Sequence, residues 1–125
     1  MKYVLSVLLF LAFAGASLAQ DAPVKFSDTK HSFGKIKQGT PVTTEFTFTN
    51  TSGKPVIIES AIAGCGCTTP DYPKTPVMKD KTATIKVTYN AEAEGHFEKQ
   101  VTVKFAKVQQ PVVLTIDGDV EKKGK

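Results

Sequence analysis

From Val24 onward, apolar residues recur at every second position, the spacing that buries one face of a β-strand and wets the other. Between positions 42 and 49, Val42, Thr44, Phe46 and Phe48 share one face, and Thr43, Glu45, Thr47 and Thr49 share the other. Ala83, Ile85, Val87 and Tyr89 alternate with Thr84, Lys86 and Thr88 in the same way. Val101, Val103 and Phe105 repeat the pattern against Thr102 and Lys104, and Val112, Leu114 and Ile116 carry it into a last strand. Val56-Ile57-Ile58 is apolar on both faces, which predicts a central strand. Turn-forming clusters separate the runs at Gln38-Gly39-Thr40-Pro41, Asn50-Thr51-Ser52-Gly53-Lys54-Pro55, Lys79-Asp80-Lys81, Glu94-Gly95-His96 and Gln109-Gln110-Pro111. Asn50-Thr51-Ser52 also spells a glycosylation sequon, but it is equally what a β-turn asks for.

No segment beyond the N-terminus places apolar residues at helical spacing. About seven short strands at intervals of about 8–12 residues predict an all-β fold, an immunoglobulin-like antiparallel β-sandwich. The Cys…Trp…Cys pin of antibody domains is missing: the chain has no tryptophan, and its two cysteines stand one residue apart. The stretch from Cys67 to Met78 breaks the alternation. It holds Pro70, Pro73 and Pro76 and so reads as a stiff crossover between sheets, anchored to the core by Tyr72 and Val77.

Residues 1–19 carry the marks of a signal peptide. Lys2 supplies the positive start, an apolar run follows from Val4 to Ala16, and Ser17-Leu18-Ala19 offers small residues for cleavage between Ala19 and Gln20. The run is too short for a stable membrane span, so after cleavage no span is expected. The expected organisation is a signal peptide at 1–19 and a single sandwich domain at 20–125, exported to a bacterial periplasm or to the extracellular space. A chain of this length buries about two-thirds of its unfolded surface, which supports a core without disulfide scaffolding. The net charge of +4 comes from lysine alone, because the chain has no arginine. Bidentate contacts to phosphate and guanine use arginine, so nucleic acid is not an expected partner. The lysines are scattered apart from Lys122, Lys123 and Lys125, as on a solvated surface.

Chemistry, if the chain has any, centres on Cys65-Gly66-Cys67. Exported thiols meet an oxidising compartment. Residues i and i+2 of an extended segment project to one face with Cα atoms about 6.5–7 Å apart, the upper limit for a disulfide. Gly66 allows the backbone to bend between them. A ring this small is strained and hence reducible, which opens a thiol–disulfide role. Two thiolates on one face could also hold a soft ion such as Cu(I), with Met78 or His96 as a third ligand. Inert buried thiols and an intermolecular bond complete the alternatives, and no cofactor is required by any motif.

The remaining candidates give no catalytic constellation. His31 and His96 lie far apart in sequence, and Glu92, Glu94 and Glu98 straddle a turn, where solvated side chains are expected. No Gly-x-Ser-x-Gly elbow or glycine-rich phosphate loop occurs. These observations predict a non-enzymatic binding or scaffolding module for a protein or cell-envelope partner, working through edge strands and the loops around Gly64 to Pro76.

The order of short motifs resembles one family. Ser32-Phe33-Gly34-Lys35-Ile36 and Gly39 precede Phe46-Thr47-Phe48-Thr49-Asn50-Thr51-Ser52-Gly53; Gly64-Cys65-Gly66-Cys67-Thr68, Tyr72-Pro73 and Ile85-Lys86-Val87-Thr88-Tyr89-Asn90 follow. Over about residues 26–120 this resembles the exported bacterial domain of unknown function 1573, abundant in Bacteroidetes and similar in fold to Hydin-like and major-sperm-protein-like sandwiches. Two positions depart from the family's habit. Ser32 stands where aspartate often precedes Phe-Gly, and Lys79-Asp80-Lys81 stands where a Pro-Gly-Glu turn is common. The resemblance implies fold and export and brings no activity with it.

Overall fold

Alternating apolar residues become eight strands in the computed structural model, which describes residues 23–122. The expected signal peptide and the Ala19–Gln20 cleavage site lie outside the described residues. The strands are β1 (Val24–Phe26), β2 (Lys30–Lys37), β3 (Val42–Asn50), β4 (Ile58–Ala63), β5 (Thr68–Asp71), β6 (Thr82–Tyr89), β7 (Gly95–Phe105) and β8 (Val112–Glu121). They form two four-stranded sheets, β1-β3-β6-β5 (sheet 1) and β2-β8-β7-β4 (sheet 2). No helix occurs among the described residues. The architecture is the expected immunoglobulin-like sandwich, with one pairing that is not antiparallel: β2 runs parallel to β8, with a bulge between Ser32 and Lys35.

Two details of the sequence reading change. Thr68–Asp71, expected to be part of an irregular crossover, is a strand paired with β6, Pro70 opposite Val87. A proline is tolerated there because β5 is an edge, where one side of the strand needs no ladder bond. The run at Val56-Ile57-Ile58 does not open a central strand. It leads into β4, the edge of sheet 2, and its double-faced apolarity leaves Ile57 exposed.

The core holds two aromatic groups contributed by both sheets. At one end Phe48 of β3 meets Phe105 of β7 edge-on at 5.6 Å and Phe26 of β1 at 5.3 Å. At the other end Tyr89 of β6 stacks on Phe97 of β7 at 4.0 Å, with Phe33 of β2 beyond it. Offset and edge-on ring pairs add to the area they bury. They join the sheets where an antibody domain uses tryptophan and a disulfide. Gly118 of β8 is fixed by close approach: a Cβ there would stand 2.8 Å from both the Gly34 carbonyl oxygen and the Phe97 ring. That contact seats the β2 bulge on the sheet.

Asn50 ends β3 fully buried, although the sequence marks it only as a turn residue. Its side-chain amide donates to the carbonyls of Lys54 and Val77, and its Oδ1 accepts from the Ser52 backbone N–H and hydroxyl. The 51–55 turn and the Val56–Val77 bridge are thereby tied to one side chain. In the turn after β7, exposed Lys107 has φ 64°, a left-handed conformation that its Cβ disfavours. Lys107→Gly is expected to stabilise the fold by about 0.5–1 kcal/mol. Urea unfolding checks this, and an unchanged or lower midpoint would contradict it.

Candidate functional site

β4 ends at Ala63 in sheet 2 and β5 begins at Thr68 in sheet 1, so residues 64–67 form the corner at which the chain changes sheets. The corner is a turn and not the extended segment expected from sequence. The turn draws the Cα atoms of Cys65 and Cys67 to 5.3 Å and places the two sulfurs at disulfide distance. Thr68 is buried, and its Oγ1 lies 3.6 Å from Cys67 Sγ and 3.9 Å from Cys65 Sγ. The cysteines differ in setting. Cys67 packs against the core, and its carbonyl accepts the Asn90 N–H at 2.9 Å. Cys65 lines a surface cleft with Gly64, Glu98, Lys99 and Gln100.

Neither expected third metal ligand is brought to the pair. Met78 neighbours Asn50 and Lys81 at the Thr82 end of β6, whereas Cys67 lies beside Asn90 past the Tyr89 end. The eight residues of β6 between them span about 25 Å. A set of Cys65, Cys67 and Met78 is therefore corrected to the cysteine pair alone. His96 lies on the exposed face of sheet 2, its Nδ1 3.1 Å from Asp119 Oδ1. His31 packs edge-on against Phe33. Among the described residues no three His, Cys, Asp or Glu side chains converge as a metal site.

The same outer face explains the Ser32 departure. Ser32 is in register with Asp117 and hydrogen-bonds its carboxylate, where an aspartate would set two like charges side by side. The Ser32 bond, with Lys30 at 3.5 Å, holds the Asp117 carboxyl below its ordinary range. A carboxyl depressed in the folded state stabilises above its unfolded pKa and loses that contribution as pH falls through its folded pKa. Asp117→Asn is therefore expected to flatten the fall of stability on the acid side of the carboxylate range. Denaturant midpoints from neutral to acid pH read this, and a slope identical to that of the unsubstituted protein would contradict it.

Four strands are edges, and three are blunted. β1 has three residues. β5 has four and carries Pro70. β2 carries Lys30, Lys35 and Lys37 and a bulge. Short length, proline, lysine and bulges all discourage a further strand from pairing. β4 has six residues without lysine or proline, and beyond a bulge near Glu59 it runs regularly from Ser60 to Ala63. The Gly64 N–H donates to the Gln100 carbonyl, and antiparallel alternation then turns the N–H and C=O groups of Ala61 and Ala63 toward the open edge. Ile62, 64% exposed, stands on the outer face in register with Thr102, which is in turn in register with exposed Val113. Sequence reasoning named edge strands without identifying this one, because edge status is a property of strand order.

The fold defines an immunoglobulin-like sandwich, an architecture that occurs as one module in proteins of many functions. Residues 24–120 match the family described as Protein of unknown function (DUF1573), and the chain belongs to it. No curated protein matches the chain in sequence. Among solved structures, it is similar to a protein of unknown function from Porphyromonas gingivalis W83, with TM-score 0.67, 12% identity, and coverage of 77% of this chain and 46% of that one. It thus spans less than half of that protein. The ASH/PapD-like domain 7 of human CEP192 gives TM-score 0.66 at 9% identity, covering 82% of this chain and 87% of that domain. WR4, a major-sperm-protein family member of C. elegans, gives 0.57 at 8% identity, covering 80% and 99%. At these identities the likeness is one of fold.

Proposed function

We propose that the chain is an exported, non-catalytic binding module that accepts an extended segment of a protein partner as an added strand on β4. The observation that carries this reading is the contrast among edges: β4 alone of the four lacks both lysine and proline and is longer than a few residues, its one charge, Glu59, lying at the bulge and paired with Lys104. Added strands gain affinity from main-chain hydrogen bonds and specificity from alternate side chains. Ala61 and Ala63 supply the main-chain groups, and Ile62 offers an apolar contact to a partner side chain on the outer face. The partner is therefore an extended peptide with an apolar residue opposite Ile62. The apolar N-terminal run and small-residue cleavage site support export, with mature protein beginning at Gln20. N-terminal sequencing of protein recovered outside the cytoplasm checks that point.

The binding test is selection of decapeptides from a random display library, followed by titration against two variants. Ala61→Pro removes an N–H that faces the open edge and leaves the β4–β7 ladder intact. Ile62→Lys places a charge on the edge in the manner of β2. Both are expected to weaken a selected peptide at least about tenfold, equivalent to about 1.4 kcal/mol, while the unfolding midpoint changes little. Peptides that bind both variants as well as the unsubstituted protein would overturn the proposal, as would failure to select any.

A copper-binding reading loses its expected third ligand, since Met78 lies at the other end of the sandwich. In the oxidising setting proposed here, the cysteine pair is a disulfide.

A further inference from the structure

Gly64 and Gly66 flank Cys65, and neither is required by the backbone. Neither has a positive φ, and a Cβ at either would meet nothing within 4 Å apart from the adjoining residues. Side chains would fit at both positions without strain. Their absence keeps the surface on both sides of Cys65 free of side chains. Cys65 opens on the cleft with Glu98, Lys99 and Gln100, whereas Cys67 is packed on the core and tied to the end of β6. Beside both sulfurs lies the buried Thr68 hydroxyl, nearer to Cys67.

We propose that Cys65–Cys67 is an exchangeable disulfide that accepts electrons from an exported dithiol partner, with attack directed to Cys65. A partner thiolate approaches Cys65 Sγ over Gly64 and Gly66, through the cleft that Glu98, Lys99 and Gln100 line. A bond forms between the partner sulfur and Cys65 Sγ as the Cys65–Cys67 bond breaks. The electron pair leaves on Cys67 Sγ, where the Thr68 hydroxyl donates to the new thiolate before it takes a proton from solvent. The partner's second thiolate then attacks its own sulfur in the mixed disulfide and releases Cys65, which is protonated in turn. Two electrons and two protons pass to this chain, and the partner leaves as a disulfide. The directing features are steric access at one sulfur and a hydrogen-bonded leaving group at the other, which are the two determinants of exchange rate that this chain controls.

The inference rests on the pair being oxidised in the exported protein and is independent of the β4 edge. Its test uses the oxidised full-length mature chain with glutathione as the attacking monothiol, quenched in acid and mapped by peptide mass. The mixed disulfide is expected on Cys65 over Cys67 by about tenfold or more. Gly66→Val, which shields the sulfur, should slow reduction by dithiothreitol at least about fivefold without lowering the unfolding midpoint. Thr68→Val, which removes the hydroxyl that donates to the leaving sulfur, should slow it at least about twofold, because a poorer leaving thiolate departs more slowly. Three results would overturn the proposal. They are glutathione mapping to Cys67, reduction at the rate of global unfolding measured on the same protein, or rates unaffected by Gly66→Val. Ala61→Pro serves as the control that should leave the exchange rate unchanged, so failure of exchange and failure of edge binding are distinguishable.

Discussion

Replacing Phe48 with alanine will destabilise this protein by about 3–5 kcal/mol, the range for removing a buried aromatic ring when the cavity cannot collapse. The position offers little room for collapse. Phe48 is fully buried, with the Phe105 ring edge-on to it and the Phe26 ring on another side. These rings come from different sheets, so the vacancy opens between the sheets and cannot be closed by a shift within one strand. Small domains have a total stability of about 5–15 kcal/mol, and the loss would therefore leave much of the population near its unfolding transition. Urea unfolding followed by circular dichroism gives the difference in midpoint. A loss below about 1 kcal/mol would mean that the interior is not packed around this residue.

Asn50→Leu is expected to follow closely, at about 2–4 kcal/mol, for the opposite reason. Leucine matches the volume approximately but supplies no polar atoms. The Val77 and Lys54 carbonyls and the Ser52 N–H lose the partners that Asn50 gives them. The Val77 carbonyl keeps the Val56 N–H and the Lys54 carbonyl keeps the Ser52 hydroxyl, so the cost is that of four hydrogen bonds lost from one side chain, about 1 kcal/mol or less each. Ser52→Ala removes one of the four bonds at a partly exposed site and should be milder, about 1 kcal/mol. Parallel urea titrations of the two variants decide the matter. If the two losses were equal, Asn50 would be an ordinary turn residue and not the pin described here.

Asn50 also illustrates what the sequence makes legible. Asn-Thr-Ser-Gly announces a turn, and the turn is there, but nothing local shows that the asparagine is turned inward to bond with Val77, 27 residues away. The faces of β3, β6 and β7 were readable because alternation is imposed residue by residue through the pleat, and Phe46, Phe48, Ile85, Val87, Val101 and Val103 are all buried. Strand order is set by long-range pairing, and here the reading failed in a specific place. Val56-Ile57-Ile58 has the composition of a central strand yet leads into an edge. Apolarity on both faces normally reports burial on both; here it leaves Ile57 exposed just ahead of an edge strand.

The candidate site was legible to a similar extent. Cys65 and Cys67 were identifiable from their spacing, but the contact with Thr68 and the asymmetry between the two sulfurs arise only because the corner joins different sheets. Lys99 illustrates the same limit: it falls between apolar Phe97 and Val101 on alternate positions of β7, and only the approach of the corner puts it beside Cys65.

The central claim is that β4 accepts an added strand, and amide hydrogen exchange reads it most directly. With a selected decapeptide bound, the Ala61 and Ala63 amides, which face the open edge, are expected to slow by at least about tenfold as they acquire partners. The amides of β2 and β5 should be unchanged. Protection at β2 or β5, or a bound peptide that leaves Ala61 and Ala63 exchanging as in the free protein, would contradict the account.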